Sequence, residues 1–540
     1  MRKFFCWYNY SLSCFYSIIK KYSYFLVSLP SLILFLGICF YLIARFLFIF
    51  HDSDFSIVDK IFSVMLLVSI SFWGVHCVGY IDHLLKSILM YKSQINDDPP
   101  IDENVQPKVA VFIPVFNEEP EIVEDIIAET ILINYSNFEI FLLDDSTDAE
   151  IHKALVELAK RFNINYIYRK NRRGYKAGAI NDAIKNLKKD MKYLLVLDVD
   201  HRPKPAILNE VIPLLEEDTS VTFIQTPQYF TSETKDRLTL AYSFQQHIFH
   251  KHVCRGLSVN NSVFMCGTNV IIRLDHLKEI GGMDETSITE DIVTSFIFHS
   301  KGYKSLYLDR IYTEGMPPPS LSAYFTQQIR WAYGTIQNLK KVLIAFLKSP
   351  QSLKPWQWWE YIVLNGSWYF LGWTLLLWLI YPIVVLLFEV RPLILGSVNI
   401  SFLIFIAMIG SQFFTSIRER GYRIRDLFLA QGLFFSLFPI YIRATIYALV
   451  GKKLDFRVTP KGRTKTISFV QLCPQLLLLG LLIISIIMGV WKIVVGQITT
   501  PYIHVIICWA IYSATILLFT SYFYLEDIKK GETYEGKKNY

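Results

Sequence analysis

The chain has 540 residues, of which 52% are hydrophobic and 15% aromatic, with only 19% charged. That balance excludes an ordinary soluble enzyme, which at this length carries more charge and shorter apolar runs. The formal charge of +7 is spread along the chain with no basic tract, so the expectation is that nucleic acid is not a partner.

A helix needs about 20 apolar residues to cross a hydrocarbon core. Two blocks near the start, 24–50 and 61–80, meet that need. Four later blocks do so as well: 361–388, 394–416, 468–491 and 503–525. A seventh, 427–450, holds Pro439 and Arg443 and is basic on both flanks, with Arg418, Arg420, Arg423 and Arg425 before it and Lys452 and Lys453 after. Crossing would place one basic flank outside, so the positive-inside bias predicts a helix lying in the cytoplasmic interface instead. Six spans then put both termini and the central domain in the cytoplasm, with the protein in the plasma (inner) membrane. Block 24–50 is too long for a removable signal and lacks its small-residue cleavage site, so it is expected to remain. None of the eight cysteines has a CxxC or zinc-like spacing, and all are read as reduced thiols.

The expected organisation is an N-terminal membrane region at 1–93 with two helices and a cytoplasmic domain at 94–350. A C-terminal membrane region with four spans and the interfacial helix follows at 351–526, then a tail at 527–540. In the central domain, short apolar runs at 108–114, 138–143, 164–168, 193–197 and 221–225 read as buried strands. Helical patterns at 121–134, 151–162 and 177–187 separate the first four. This alternation predicts an α/β domain with a mostly parallel sheet, whose ligands bind beyond the carboxyl ends of the strands.

The polar clusters fall at those ends. The second strand runs into Asp144 and Asp145, which can accept hydrogen bonds from a base or ribose or, with Asp148, cap the next helix. Lys176, in RRGYKAGAIN, precedes a helix pattern and suits a phosphate, or is a solvated lysine. The fourth strand ends in Asp198-Val199-Asp200-His201; two carboxylates with an imidazole beside them can seat a hard divalent cation on a diphosphate, or form an acidic turn. Thr289-Glu290-Asp291 follows a Gly-Gly turn, and an Asp there can deprotonate an acceptor hydroxyl, or cap a helix. In Gln327-Gln328-Ile329-Arg330-Trp331, Arg330 can grip a diphosphate bidentately and Trp331 can stack on a sugar ring, or both can anchor the chain at a membrane surface.

Taken in order, DD, DVDH, TED and QQIRW resemble the D, DxD, TED, QxxRW series of the processive family 2 glycosyltransferases, bacterial cellulose synthase catalytic subunits above all. FMCGTNVIIR (264–273) is similar to the acceptor-side FFCG segment of that family, and VTFIQTPQYF (221–230) to its QTP segment. FRVTPK (456–461) resembles its FxVTxK gating loop. The resemblance covers roughly 109–462. It implies an integral membrane α-helical channel with an inserted cytoplasmic α/β GT-A (Rossmann-like) glycosyltransferase domain.

The resemblance further implies roles. Asp144, Asp145, Lys176, Asp198, Gln327 and Arg330 would bind the donor, and Asp198, Asp200 and His201 would hold Mg²⁺ or Mn²⁺. Asp291, flanked by Thr289 and Glu290, would be the base. Trp331, Cys266 and Phe264 would meet the acceptor. Phe456, Val458, Thr459 and Lys461, in a gating loop near 456–467, would close over the loaded site. The implied partners are a nucleotide-sugar donor, UDP-glucose in first place, a growing polysaccharide and the bilayer, with accessory export subunits left open. The implied reaction is processive, inverting polymerisation into a cellulose-like β-1,4-glucan with export of the chain. QQ, where bacterial cellulose synthases commonly have QR, leaves room for a β-1,3- or mixed-linkage glucan, mannan, chitin or hyaluronan. Only 526–540 follow the last span, so the PilZ domain that binds cyclic di-GMP in the familiar bacterial enzyme is not expected there. A transporter with a nucleotide-sensing domain would need charged or broken midplane helices; Arg45, near one end of its span, is the only charge well inside a clear one.

Overall fold

In the computed structural model the backbone is described for residues 2–51, 55–91, 106–230, 236–390, 410, 422–454, 467–497 and 503–538, with side chains from 27 to 528. The predicted sixth span at 394–416 and the gating loop at 456–461 lie outside the described residues, apart from the backbone of Gly410.

The chain opens with two long helices, α1 (Arg2–His51) and α2 (Ile57–Leu89). Ser56 and Asp59 close a reciprocal capping box at the start of α2. The central domain then alternates strand and helix. Strand β1 (Lys108–Val115) is followed by α3 (Pro120–Ile131), β2 (Phe138–Asp144) and α4 (Ala149–Arg161). Next come β3 (Asn165–Tyr168), α5 (Tyr175–Lys185), β4 (Met191–Val196), β5 (His201–Pro203), α6 (Ile207–Glu217), β6 (Val221–Gln225) and β7 (Tyr229–Phe230). Local chemistry sets the boundaries: Pro120 lies in the first turn of α3, and the Asp148 carboxylate accepts the Glu150 and Ile151 N–H groups at the start of α4.

The domain continues with α7 (Arg237–Ile248), a π-helical turn (Phe249–Cys254) and α8 (Arg255–Val259). Strand β8 (Val270–Arg273), α9 (Leu274–Glu279), α10 (Glu290–Ser300), β9 (Lys304–Tyr307) and β10 (Thr313–Gly315) complete it.

The main sheet has seven strands in the order β3-β2-β1-β4-β8-β6-β9. Its β3, β2, β1 and β4 pair in parallel, as the sequence pattern predicts, and β6 pairs in parallel with β9. The pattern did not reveal β8, which enters antiparallel between β4 and β6. Val109 to Ile113 are fully buried because both faces of the sheet are covered, and each such Val, Ile or Phe side chain contributes about 1.5–3 kcal/mol. A second sheet, β5-β10-β7, folds the chain back over the carboxyl ends of the strands.

The 28-residue helix α11 (Leu321–Lys348) leaves this domain and leads to α12 (Pro355–Trp358), a second π-helical turn (Trp359–Asn365) and α13 (Leu371–Phe388). Helices α14 (Ile424–Phe435), α15 (Phe438–Val450), α16 (Cys473–Val494) and α17 (Ile503–Lys538) follow. Among the described residues six helical stretches are long and apolar enough to span: Val27–His51, Ile57–Leu89, Pro355–Phe388, Ile424–Val450, Phe469–Val494 and Ile503–Ile528. The set differs from the expected six by one member. It includes the stretch expected to lie in the interface, which breaks into α14 and α15 just ahead of Pro439. One buried cluster joins Tyr242 of α7 and Tyr324 of α11 to Leu375, Leu433, Tyr441, Leu482 and Phe523 of the apolar helices. The catalytic-type domain and the membrane helices therefore share a core.

Candidate active site between the sheet edge and the apolar helices

The carboxyl ends of β1, β2 and β4 face a cavity of about 610 Å³ that runs on between the domain and the apolar helices. Of the expected site residues in the described chain, all line it except Asp144. Asp144 and Asp145 are consecutive on a strand end, so their side chains take opposite sides. Asp144 is buried and accepts the Ser146 N–H at 2.8 Å, with His152 and the Tyr166 hydroxyl on its other oxygen. Asp145 faces the cavity, gripped bidentately by Arg169 at 2.8 and 2.6 Å. At this end the Arg172 guanidinium lies 3.2 Å over the Phe116 ring, with Glu118 beside them in the wall. A flat charged group stacked on an aromatic ring, next to acceptors, suits a nucleobase. Phe116, Glu118 and Arg172 carry no pattern in the sequence that marks them; they stand on the loops after β1 and β3.

Lys176 begins α5 beneath this end. Its ammonium donates to Asp198 and, at 2.8 Å, to the Gly267 carbonyl. The Asp198 N–H is held by the Thr268 hydroxyl at 2.9 Å. His201 is buried, bonded through Nδ1 to Asp200 at 3.1 Å with its ring against Phe230. Its other ring nitrogen, Nε2, is buried without a hydrogen-bond partner among the described residues, and the residue lines the cavity. Among the described residues no group of three or more His, Cys, Asp or Glu side chains is arranged as a metal cage. The donor set nevertheless suits a hard cation. In the part of the wall around Arg330, the carboxylates Asp198, Asp200, Glu290 and Asp291 gather with the cations Lys176 and Arg330. A diphosphate added to that wall meets an excess of negative charge. A divalent ion held by one or two carboxylates and by phosphate oxygens relieves it, the usual arrangement for Mg²⁺.

The wall expected to meet the acceptor is built by three segments tied together. Gln225, fully buried at the end of β6, accepts the Cys266 N–H at 2.8 Å and donates to the Thr268 carbonyl at 2.8 Å. Gln228 donates to the Cys266 carbonyl at 2.7 Å. Met265 N–H reaches the Ser295 hydroxyl on α10 at 2.9 Å. Gly267 between them has φ of +83°, a conformation that favours glycine, and a Cβ there would lie 3.4 Å from the Asp291 carboxylate. Helix α11 closes the site from below. Gly334 lets it approach until a Cβ would lie 2.7 Å from the Thr289 hydroxyl, and Asn338 donates to that hydroxyl at 2.8 Å. TED is thereby held against the helix that carries Gln327, Arg330 and Trp331. The neighbouring Gln328 accepts the Tyr441 hydroxyl of α15 at 2.8 Å.

These surroundings tune the charged groups. Burial first, and the Glu290 charge second, push Asp291 up to about 7, against the Ile292 N–H and Lys176, which pull it down. Glu290 is likewise raised by burial, with Lys176 and Arg330 opposing. Burial pulls the Arg330 guanidinium down from its usual value, while Glu290, Asp198, Asp291 and Asp200 hold it up. A carboxyl poised near neutrality is matched to proton transfer at physiological pH. Past Trp331 the cavity continues along the apolar helices, lined by Trp73, Trp368, Tyr369, Phe434 and Tyr441. Sequence reasoning left these aromatic residues among the membrane segments.

Known proteins fit this arrangement. Residues 107–334 match the family described as Glycosyltransferase like family 2, and residues 272–498 match Cellulose synthase. A cellulose synthase catalytic subunit (UDP-forming) of Xanthomonas axonopodis pv. citri is 31% identical over 244 residues, 44% of this chain and 33% of that protein. One from Pseudomonas fluorescens is 27% identical over 423 residues, 76% of this chain and 55% of its own. A glucomannan 4-beta-mannosyltransferase of Arabidopsis thaliana is 28% identical over 357 residues, 63% of this chain and 66% of its own. The chain thus spans a third to two thirds of the length of these relatives. The expected α/β domain among membrane-type helices is present; residues 107–334 are similar to family 2 glycosyltransferases, and the chain resembles cellulose synthase catalytic subunits.

Proposed function

We propose that the chain is a processive inverting glycosyltransferase that polymerises glucose from UDP-glucose into a β-1,4-linked glucan and passes the product across the membrane. The observation that carries this reading is the single cavity that runs from Asp145 past Asp291 to the aromatic residues of the apolar helices. A non-processive enzyme has no need of a sugar-stacking path beyond its acceptor site. In this reading the base packs beside the stacked Phe116–Arg172 pair, near Asp145 and Glu118, and Lys176 and Arg330 take the diphosphate. Asp198, Asp200 and His201 would hold Mg²⁺ or Mn²⁺, which supplies charge neutralisation for the departing diphosphate. Asp291 takes the proton of the acceptor hydroxyl as that oxygen bonds to the anomeric carbon. The bond from that carbon to the diphosphate breaks on the opposite face, inverting the centre. Trp331 stacks on the terminal acceptor sugar, and the aromatic path beyond takes up the lengthened chain.

The similarity to UDP-forming cellulose synthases supports the glucosyl donor. The match to the glucomannan mannosyltransferase, which covers more of that relative's length, favours a mannosyl donor as the second reading. The test supplies membrane vesicles with labelled UDP-glucose, UDP-N-acetylglucosamine or GDP-mannose, with Mg²⁺, with Mn²⁺ or with a chelator. The expected result is metal-dependent polymer from UDP-glucose alone, degraded by a β-1,4-specific glucanase. Polymer from GDP-mannose only would replace the glucan reading with the mannan one, and its absence with all three donors would overturn both.

A further inference from the structure

Near the end of its apolar stretch α17 carries Asp527, a carboxylate that is only 4% exposed. Both of its oxygens are used: Oδ1 accepts the Leu321 N–H at 3.2 Å and Oδ2 the Ile467 N–H at 2.9 Å. Leu321 is the first residue of α11, so its N–H is one that the helix cannot satisfy internally. Negative charge at this end is also favoured by the helix dipole. Ser320 already caps the helix by accepting the Ala323 N–H at 3.1 Å. The helix is therefore started without Asp527, which comes from 206 residues further along the chain. Leu321, Ile467 and Phe523 are buried in one cluster with Tyr324 and Phe325, and the Arg237 guanidinium at the start of α7 lies 4.1 Å over the Tyr522 ring. The end of α17 is thus locked onto the catalytic-type domain.

We propose that Asp527 is a positioning residue for sugar transfer. It fixes the axial height of α11 against the apolar helix α17 and thereby sets where Arg330 and Trp331 stand in the cavity. A helix is stiff along its axis, and those residues lie about 14 Å along it from Leu321 at 1.5 Å per residue. A shift at the first turn therefore reaches them undiminished. This inference rests on the reading of α11 as the carrier of the diphosphate and acceptor contacts.

The test uses the full chain in lipid nanodiscs with three variants. Asp527→Ala removes both acceptors, and Asp527→Glu retains a carboxylate. Leu321→Pro removes one donor at a position where proline is accepted, because Ser320 is already extended at φ −146° and ψ 161°. Turnover of labelled UDP-glucose, UDP binding, and the distance between spin labels at Lys348 and Leu525 are measured. For Asp527→Ala and Leu321→Pro the expected result is at least a tenfold fall in kcat, a UDP affinity weakened along with it because Arg330 moves with Trp331, and a longer or broader label distance. Asp527→Glu restores at least a third of the turnover. Asp527→Ala with kcat within twofold of wild type, or with an unchanged distance, overturns the proposal. If that variant does not fold, Leu321→Pro decides by the same criteria. A wild type that makes no polymer from any donor defeats the functional reading instead, and the label distance still decides on Asp527.

Discussion

At the scale of single residues, the site depends on what surrounds Asp291. If Asp291 is the base, Asp291→Asn abolishes transfer while UDP affinity stays within a few-fold, as calorimetry on the purified protein would show; surviving polymer synthesis would remove Asp291 from that role. Only its ionised form accepts a proton, so kcat falls as pH drops through about 7. The Glu290 charge is the second cause of the raised value, so Glu290→Gln moves this acid limb to lower pH in a pH–rate profile. Stability follows the opposite sign. A carboxyl whose folded pKa is raised keeps a proton that the unfolded chain releases, and its contribution, full below about pH 4, is lost as pH rises through about 7. Asp291→Asn therefore melts above wild type at pH 8 and level with it near pH 4. How far such roles were legible varies by residue. TED, DVDH and QQIRW could be named from sequence because residue type and order carry them. That Asp145 and not Asp144 faces the cavity could not, since it depends on strand alternation at a boundary that a pattern locates only to within a residue or two. The strand-end DVDH pattern points to His201 beside Asp198 and Asp200, but that its Nδ1 bonds Asp200 is a matter of tertiary geometry.

At the scale of elements, the site is a matter of how closely α11 approaches the TED turn. Gly334 permits that approach: a Cβ there would lie 2.7 Å from the Thr289 hydroxyl oxygen and 2.8 Å from its methyl carbon. Gly334→Ala forces the two apart, at a cost of about 1–3 kcal/mol for overpacking. Displacing a positioning group by 1 Å costs about 100-fold in rate. The expected outcome is a lower melting temperature together with a fall in turnover of about 10- to 100-fold; full turnover would show that the close approach is dispensable. The strands and helices behind this contact were largely legible. Strands β1 to β4 and helices α3 to α5 fall within a few residues of their predicted places, because apolar runs and amphipathic helices leave period signals; β3, expected to be buried, instead lies at the sheet edge with exposed ends. Strand β8 did not. It has four residues, enters antiparallel, and pairs with β4 more than 70 residues earlier, so no local pattern encodes it. Strands β5, β7 and β10, of two or three residues each, are too short to show any period.

At the scale of the molecule, the catalytic-type domain and the apolar helices are joined by the cavity and by a shared buried cluster. This union was the least legible feature, since an aromatic residue in an apolar block has the same sequence signature whether it faces lipid or lines a path. Trp368 and Tyr369 line the cavity and pack near Phe434 and Tyr441, with ring separations of 6.3 and 5.0 Å. If a growing polymer leaves the site along them, filling that arm should separate bond formation from elongation. Asn365, at the end of the second π-helical turn, lines the arm and is only half-buried, so a larger side chain there meets space before it meets packed core. Asn365→Trp is therefore expected to fold, to bind UDP as the wild type does, and to add the first few sugars to a short acceptor. Long polymer is lost because the product has nowhere to advance, and turnover measured as UDP release stalls after the early additions. Sizing of the labelled products gives the answer. Short oligosaccharides in place of polymer support the path, and polymer of wild-type length would mean that the chain leaves the active site by another route.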